Sequence, residues 1–93
     1  MKIEVKKFGE ILMSRPAGRD AALTIKAYLK PKQKNRIELD FSGVLAVGPS
    51  WLDEVLTILR SEYGKARVIC LPSKNVSVIE SLKILEMQQD KLK

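Results

Sequence analysis

The chain has no histidine and a single cysteine, Cys70. Without imidazole there is no Ser-His-Asp or Cys-His nucleophile pair, no imidazole metal ligand and no ordinary base titrating near neutral pH. One thiol excludes an internal disulfide, a cysteine zinc cage and a CxxC redox pair, and is the usage of a reducing compartment. A glycine-rich phosphate loop is missing too, so the sequence offers no recognisable catalytic apparatus. No apolar run approaches the roughly 20 residues of a membrane span, and the opening MKIEVKKFGEI has none of signal-peptide length. These absences predict a soluble, cytoplasmic, non-catalytic chain with no metal, cofactor or membrane partner.

What is present is the composition of a globular protein, 45% hydrophobic and 30% charged. Ninety-three residues form one domain, 1–93, with 89–93 expected to fray, and a chain this short buries only about 60 to 65% of its unfolded surface. A monomer or weak dimer is expected. Seventeen basic residues against 11 acidic leave a net charge of +6, which suits an acidic surface or a polyanion as partner.

The most decodable stretch is Ile37 to Gly64. Ile37, Leu39 and Phe41 alternate with Glu38, Asp40 and Ser42, the period of a strand with one apolar face. Gly43, Gly48 and Pro49 break it. Leu52, Val55, Leu56 and Leu59, widened by Ile58, then follow at helical spacing. Ser50 and Asp53 read as a capping-box-like pair, Asp53 and Glu54 as acids at the positive end of the helix dipole, and Gly64 as its stop.

Before this stretch, Ile3 and Val5 alternate with lysine and glutamate. Gly9 then offers a turn from which Ile11, Leu12 and Met13 can return as the second arm of a hairpin, or else run as a loop covering the core. Ser14 to Lys30 reads as a helix capped near Ser14, with Pro16 in its first turn and Ala21, Ala22, Ile25, Tyr28 and Leu29 on its apolar side. Pro31 ends it. After the central helix, RVICLP predicts a strand covered on both faces, with Cys70 as a small buried hydrophobe or a reactive thiol. The last helix opens at Asn75 or Ser77, where Ser77 and Glu80 form another S-x-x-E pair, and carries Val78, Ile79, Leu82 and Leu85, helped by Val76 and Met87. Strands alternating with helices give an α/β domain: a four-stranded mixed, largely parallel sheet, an N-terminal hairpin and about three helices. Function in such sheets gathers at the carboxyl ends of strands, here Gly43 to Ser50 and Pro72 to Asn75.

The order LDFSGV, short loop, SWLDEVLTIL and YG before a strand resembles STAS domains, the anti-sigma factor antagonist fold. It is nearest to the STAS-like domains of unknown function, which share the acid-Phe strand end, the Ser-aromatic-hydrophobic-acid-acid helix start, and an arginine after the first hairpin, here Arg15. The likeness spans residues 8 to 85, and its specific motif is Leu39 to Leu56. In the partner-switching branch, a serine at this helix start is phosphorylated by an ATPase of the histidine-kinase-like fold, and only the unphosphorylated form binds that kinase. Ser50 is the matching residue, although Gly48-Pro49-Ser50-Trp51 replaces the usual Asp-Ser-Ser/Thr-Gly. The resemblance implies a regulatory module docking a protein partner through Val47, Gly48, Pro49, Ser50, Trp51, Asp53 and Glu54. Ser50 is then a switch or only a helix cap, and Trp51 an exposed anchor or part of the core rim.

A competing reading starts from charge. Lys30, Lys32, Lys34 and Arg36, with Tyr28 for stacking, would make a polyanion or nucleic-acid contact, or merely a solvated loop. Salt separates the two, because phosphate contacts weaken steeply with ionic strength whereas an apolar docking surface changes little.

Overall fold

The computed structural model describes residues 1–29 and 35–91, the side chains of 88–91 excepted. Five short strands and three helices follow one another: β1 (Lys2–Glu4), β2 (Ile11–Leu12), α1 (Arg15–Thr24), β3 (Ile37–Asp40), β4 (Ala46–Val47), α2 (Pro49–Tyr63), β5 (Val68–Cys70) and α3 (Val76–Lys91). The expected α/β class and the three helices are there. The strands, however, form two sheets rather than one of four: β1-β3-β5 and β2-β4.

All three strand pairings among the described residues are parallel, so the N-terminal hairpin is not formed. A tight 3-10 turn at Val5–Phe8, closed by Gly9 N–H donating to the Lys6 carbonyl at 3.0 Å, kinks the chain without reversing it. Residues 2–12 therefore keep their direction beside residues 37–47. Lys2 pairs with Glu38, thirty-six positions on, and Ile11 with Ala46, thirty-five positions on. The two sheets are thus one long parallel ribbon, parted where residues 5–10 face 41–45 with one residue in excess. A glycine between two apolar runs signals a bend; whether the bend reverses is decided by which edge is free to pair. β3 takes both β1 and β5, and β4 takes β2.

Alternation places Ile3, Ile37, Leu39 and Val68 in the core, while Lys2, Glu4, Glu38 and Asp40 face outward. β5 was expected to be covered on both faces. It lies at the sheet edge, so only Val68 is fully buried and Ile69 and Cys70 are half-buried. The outer edge is not left bare, since Arg60 donates from Nε and Nη2 to the Val68 carbonyl at 3.3 and 3.1 Å, which blocks further strand pairing there.

α1 is capped by Ser14, whose Oγ accepts from Ala17 N–H at 3.2 Å, and Pro16 sits in the first turn where no N–H is needed. Its buried side is Gly18, Ala21, Ala22 and, in the π-helical turn Ile25–Leu29 that extends it, Ile25. Tyr28 and Leu29, expected on that side, are exposed because the wider turn rotates them away. In α2, Leu52, Val55, Leu56 and Leu59 are all buried as their spacing predicts. Gly64 ends the helix at φ 96°, with its N–H on the Arg60 carbonyl at 2.9 Å. A Cβ there would meet open space, so only backbone conformation resists substitution. Gly64→Ala is expected to cost about 1 kcal/mol. An unchanged midpoint in urea denaturation would show that this conformation is not the one that stops the helix.

In α3, Val78 and Leu85 enter the core, but Val76, Ile79 and Met87 are exposed, and Ser81 is buried in their stead. Among the described residues no helix is long and apolar enough to cross a membrane.

Candidate functional site

The corner where β4 enters α2 gathers most of the residues that the sequence singled out. Gly48 is the N-cap, in extended backbone, and its N–H donates to the Leu12 carbonyl at 2.8 Å. Pro49 fills the first helical position, where a missing N–H leaves nothing unsatisfied. The helix consequently starts two residues earlier than a Ser50 cap requires, and Ser50 is not a cap. Its half-exposed hydroxyl has no partner among the described residues, and α2 has no side-chain cap bond. The Ser50–Asp53 capping box is likewise not formed.

Asp53 and Glu54 fall instead in the second turn and turn sideways. Arg15 Nη1 donates to Asp53 Oδ2 at 2.8 Å and to Glu54 Oε2 at 3.0 Å, which joins the start of α1 to the start of α2. These bonds, the one to Asp53 first, hold the guanidinium pKa above its usual value. Arg15 is half-exposed, so water screens the pair and its contribution to stability is small. Its consequence is chemical: two carboxylates at the corner share one cation, which offsets half of their charge. Around them lies an open cleft of about 290 Å³ lined by Arg15, Pro16, Arg19 and Glu54. Arg19 and Pro16 were not expected at the site. A pair of adjacent acids at the helix start was the available signal that a cation from another element must approach.

Trp51 faces the other way. It is 2% exposed and packs in the core, and α1 crosses its backbone at Gly18. The side chain is therefore neither an exposed anchor nor an obstruction beside Ser50. Val47 and Gly48 are buried too, which leaves Pro49, Ser50, Asp53 and Glu54 as the accessible part of the predicted docking set.

Residues 23–71, more than half of the chain, match the family model described as the STAS-like domain of unknown function (DUF4325). The chain belongs to this family. No curated protein and no solved structure matches it. The matched span runs from the end of α1 through β5, and so includes the α2 corner while leaving Arg15 and α3 outside.

In this STAS-like domain the loop ahead of the corner is held from α3. Asn75 Oδ1 accepts from Ser77 N–H at 2.9 Å and from Ser77 Oγ at 2.6 Å, so Asn75 is the cap, and its Nδ2 donates to the Val44 and Leu45 carbonyls at 2.8 and 3.1 Å. Ser77 Oγ accepts from Val47 N–H at 3.0 Å, and Ser81 Oγ donates to the Val47 carbonyl at 2.9 Å. Two hydroxyls thus complete the outer edge of β4, which explains a buried serine inside an apolar stripe. The Ser77–Glu80 pair does not form; Glu80 meets Lys83 at 3.8 Å instead.

The remaining candidates lie apart from the corner. Lys30, Lys32 and Lys34 lie outside the described residues. Arg36 is exposed and its carbonyl accepts from the N-terminal ammonium, and Tyr28 is 82% exposed. Burial pushes the Cys70 thiol up to about 11, with Arg60 opposing weakly, so it stays protonated and is a poor nucleophile. Among the described residues no three His, Cys, Asp or Glu side chains gather to hold a metal ion.

Proposed function

We propose that this STAS-like domain is a non-catalytic regulatory module that docks a protein partner through the accessible residues at the start of α2, and that Ser50 is its charge switch. The observation that carries the reading is the state of Ser50: half-exposed, without a hydrogen-bond partner among the described residues, and one position inside the helix start. Its hydroxyl is not committed to capping, and the neighbouring indole is withdrawn into the core, so a modifying active site meets no aromatic side chain there. A phosphate on Ser50 would lie against the positive end of α2, which tolerates it, while adding about −1.5 to −2 charge at neutral pH to a surface whose two acids share the one cation of Arg15. The partner implied by the partner-switching branch of the wider STAS family is an ATPase of the histidine-kinase-like fold.

Ser50→Ala and Ser50→Asp separate switch from scaffold. With no cap to lose, Ser50→Ala should change stability by less than about 0.5 kcal/mol and leave docking intact. Ser50→Asp should melt similarly yet bind about tenfold more weakly, a loss of about 1.4 kcal/mol. Calorimetric titration of both against a histidine-kinase-like ATPase retained by the immobilised domain, beside their melting curves, gives the answer. Equal binding by the two variants removes the switch; no ATPase retained at all removes that partner.

A further inference from the structure

The parting of the long ribbon makes a second place of interest, away from the α2 corner. Between the Glu4–Asp40 and Ile11–Ala46 pairs the two runs separate, and an open cleft of about 340 Å³ is lined by Glu4, Lys6, Lys7, Asp40 and Ser42. It lies at the carboxyl ends of β1 and β3, where neighbouring parallel strands release their loops and α/β proteins commonly hold ligands. Its volume is at the small end of the range for small-molecule sites.

Two acids and two lysines line the cleft, but a lysine from outside the lining, Lys2, takes one of the acids. Asp40 is held on one oxygen by the Ser42 N–H at 3.0 Å and the Ser42 Oγ at 2.8 Å, and on the other by Lys2 Nζ at 3.4 Å. The Ser42 bonds foremost keep its pKa below the usual value, so it stays a carboxylate. Glu4 is met by Lys7 at 3.7 Å. Lys6 is left over: no carboxylate among the described residues pairs with it. Its stem lies over Gly43. A Cβ on that residue would fall 2.7 Å from Lys6 Cδ and 3.4 Å from Nζ, and Gly43 is at φ 84°. The tight turn Phe41–Val44, closed at 3.1 Å, thus lies under an ammonium without a carboxylate partner among the described residues, at a cleft that Ser42 and Lys7 also line.

We propose that the cleft binds a small organic anion, a carboxylate or a phosphate monoester. Its charged group would pair with Lys6 and its carbon skeleton lie along the lysine stems, while Glu4 and Asp40 repel ligands whose negative charge extends further. The open, hydrated position makes the affinity millimolar rather than tight, since charge pairs in water are weak. The cleft shares no residue with the α2 corner, so either site can fail without the other.

Amide-resolved NMR titration of the full chain with lactate, glycerol 3-phosphate and inorganic phosphate, at constant ionic strength, tests this. Expected are saturable shifts at the amides of residues 6, 7, 42 and 43 with lactate or glycerol 3-phosphate, and the better of the two identifies the anion. Lys6→Met keeps the stem and removes the charge, and should weaken that binding about tenfold, the worth of one charge-assisted hydrogen bond. Lys83→Met, at an exposed lysine of α3, should leave it unchanged. Lys6→Gln, which removes the same charge, replaces Lys6→Met if the latter melts early. Shifts that never saturate, equal weakening by the Lys6 and Lys83 substitutions, or inorganic phosphate binding as well as the organic anions would overturn the proposal, the last meaning an adventitious ion only.

Discussion

Gly18→Val is expected to leave the chain without a cooperative thermal transition, and Gly18→Ala to lower stability by about 2 kcal/mol. Gly18 sits on the buried side of α1 where it crosses α2, and a Cβ there would fall 2.5 Å from the Trp51 carbonyl oxygen, 3.1 Å from Trp51 Cα and 3.2 Å from Glu54 Cβ. The nearest two are backbone atoms of a helix and cannot turn aside. Intrinsic preference runs the other way, since alanine is favoured over glycine in a helix interior by about 1 kcal/mol. Overpacking a tight contact costs about 1–3 kcal/mol and more when backbones must separate, so the crossing wins. Valine adds two methyl groups to the same clash, against a total stability of about 5–14 kcal/mol for 93 residues. Urea and thermal unfolding decide it. A midpoint raised by Gly18→Ala would mean that the helices do not approach this closely.

Leu56→Asp should unfold the domain outright. Leu56 is 5% exposed and lies in the α2 stripe with Leu52, Val55 and Leu59, within the hydrophobic core. Truncation alone, as in Leu56→Ala, should cost about 2–5 kcal/mol for the lost contacts and the cavity. The aspartate adds an unpaired carboxylate that must either be buried or protonated, several kcal/mol more, which reaches the whole stability of a small domain. Far-UV circular dichroism at room temperature should show lost helix. A native spectrum with a melt near that of the unaltered chain would disprove burial of this face.

These two positions also mark what could be read in advance. Leu56 was legible, because helical spacing of apolar residues is a local pattern that burial converts directly into a face. Gly18 was not, since its value is the absence of a side chain opposite Trp51, which no spacing reveals. The same division runs through the α2 corner. The acids at 53 and 54 stood out in the sequence as partners of the helix dipole, yet Arg15, thirty-eight residues away from Asp53, takes them both. Ser50 was a sound cap by residue type, but Pro49 in the first helical position moved the start back to Gly48. Trp51 could point either way until the crossing of α1 turned it inward.

By itself the sequence determined the α/β class, the existence of three helices, the buried faces of β3 and α2, the cap near Ser14, and the stop at Gly64, along with membership of the STAS-like family. Each of these rests on residues within a few positions of one another, where backbone preference, capping bonds and periodic burial act without reference to the rest of the chain. Only the tertiary structure decided that β1 and β2 run on in one direction beside β3 and β4, that the ribbon parts into a cleft around Lys6, that Ser77 and Ser81 complete the edge of β4, that Asn75 rather than Ser77 caps α3, and that Ser50 is not the cap of α2. The physical reason is that an unpaired strand edge, an ammonium or a hydroxyl accepts any complementary group brought within about 3 Å, and which group arrives is fixed by the packing of distant elements.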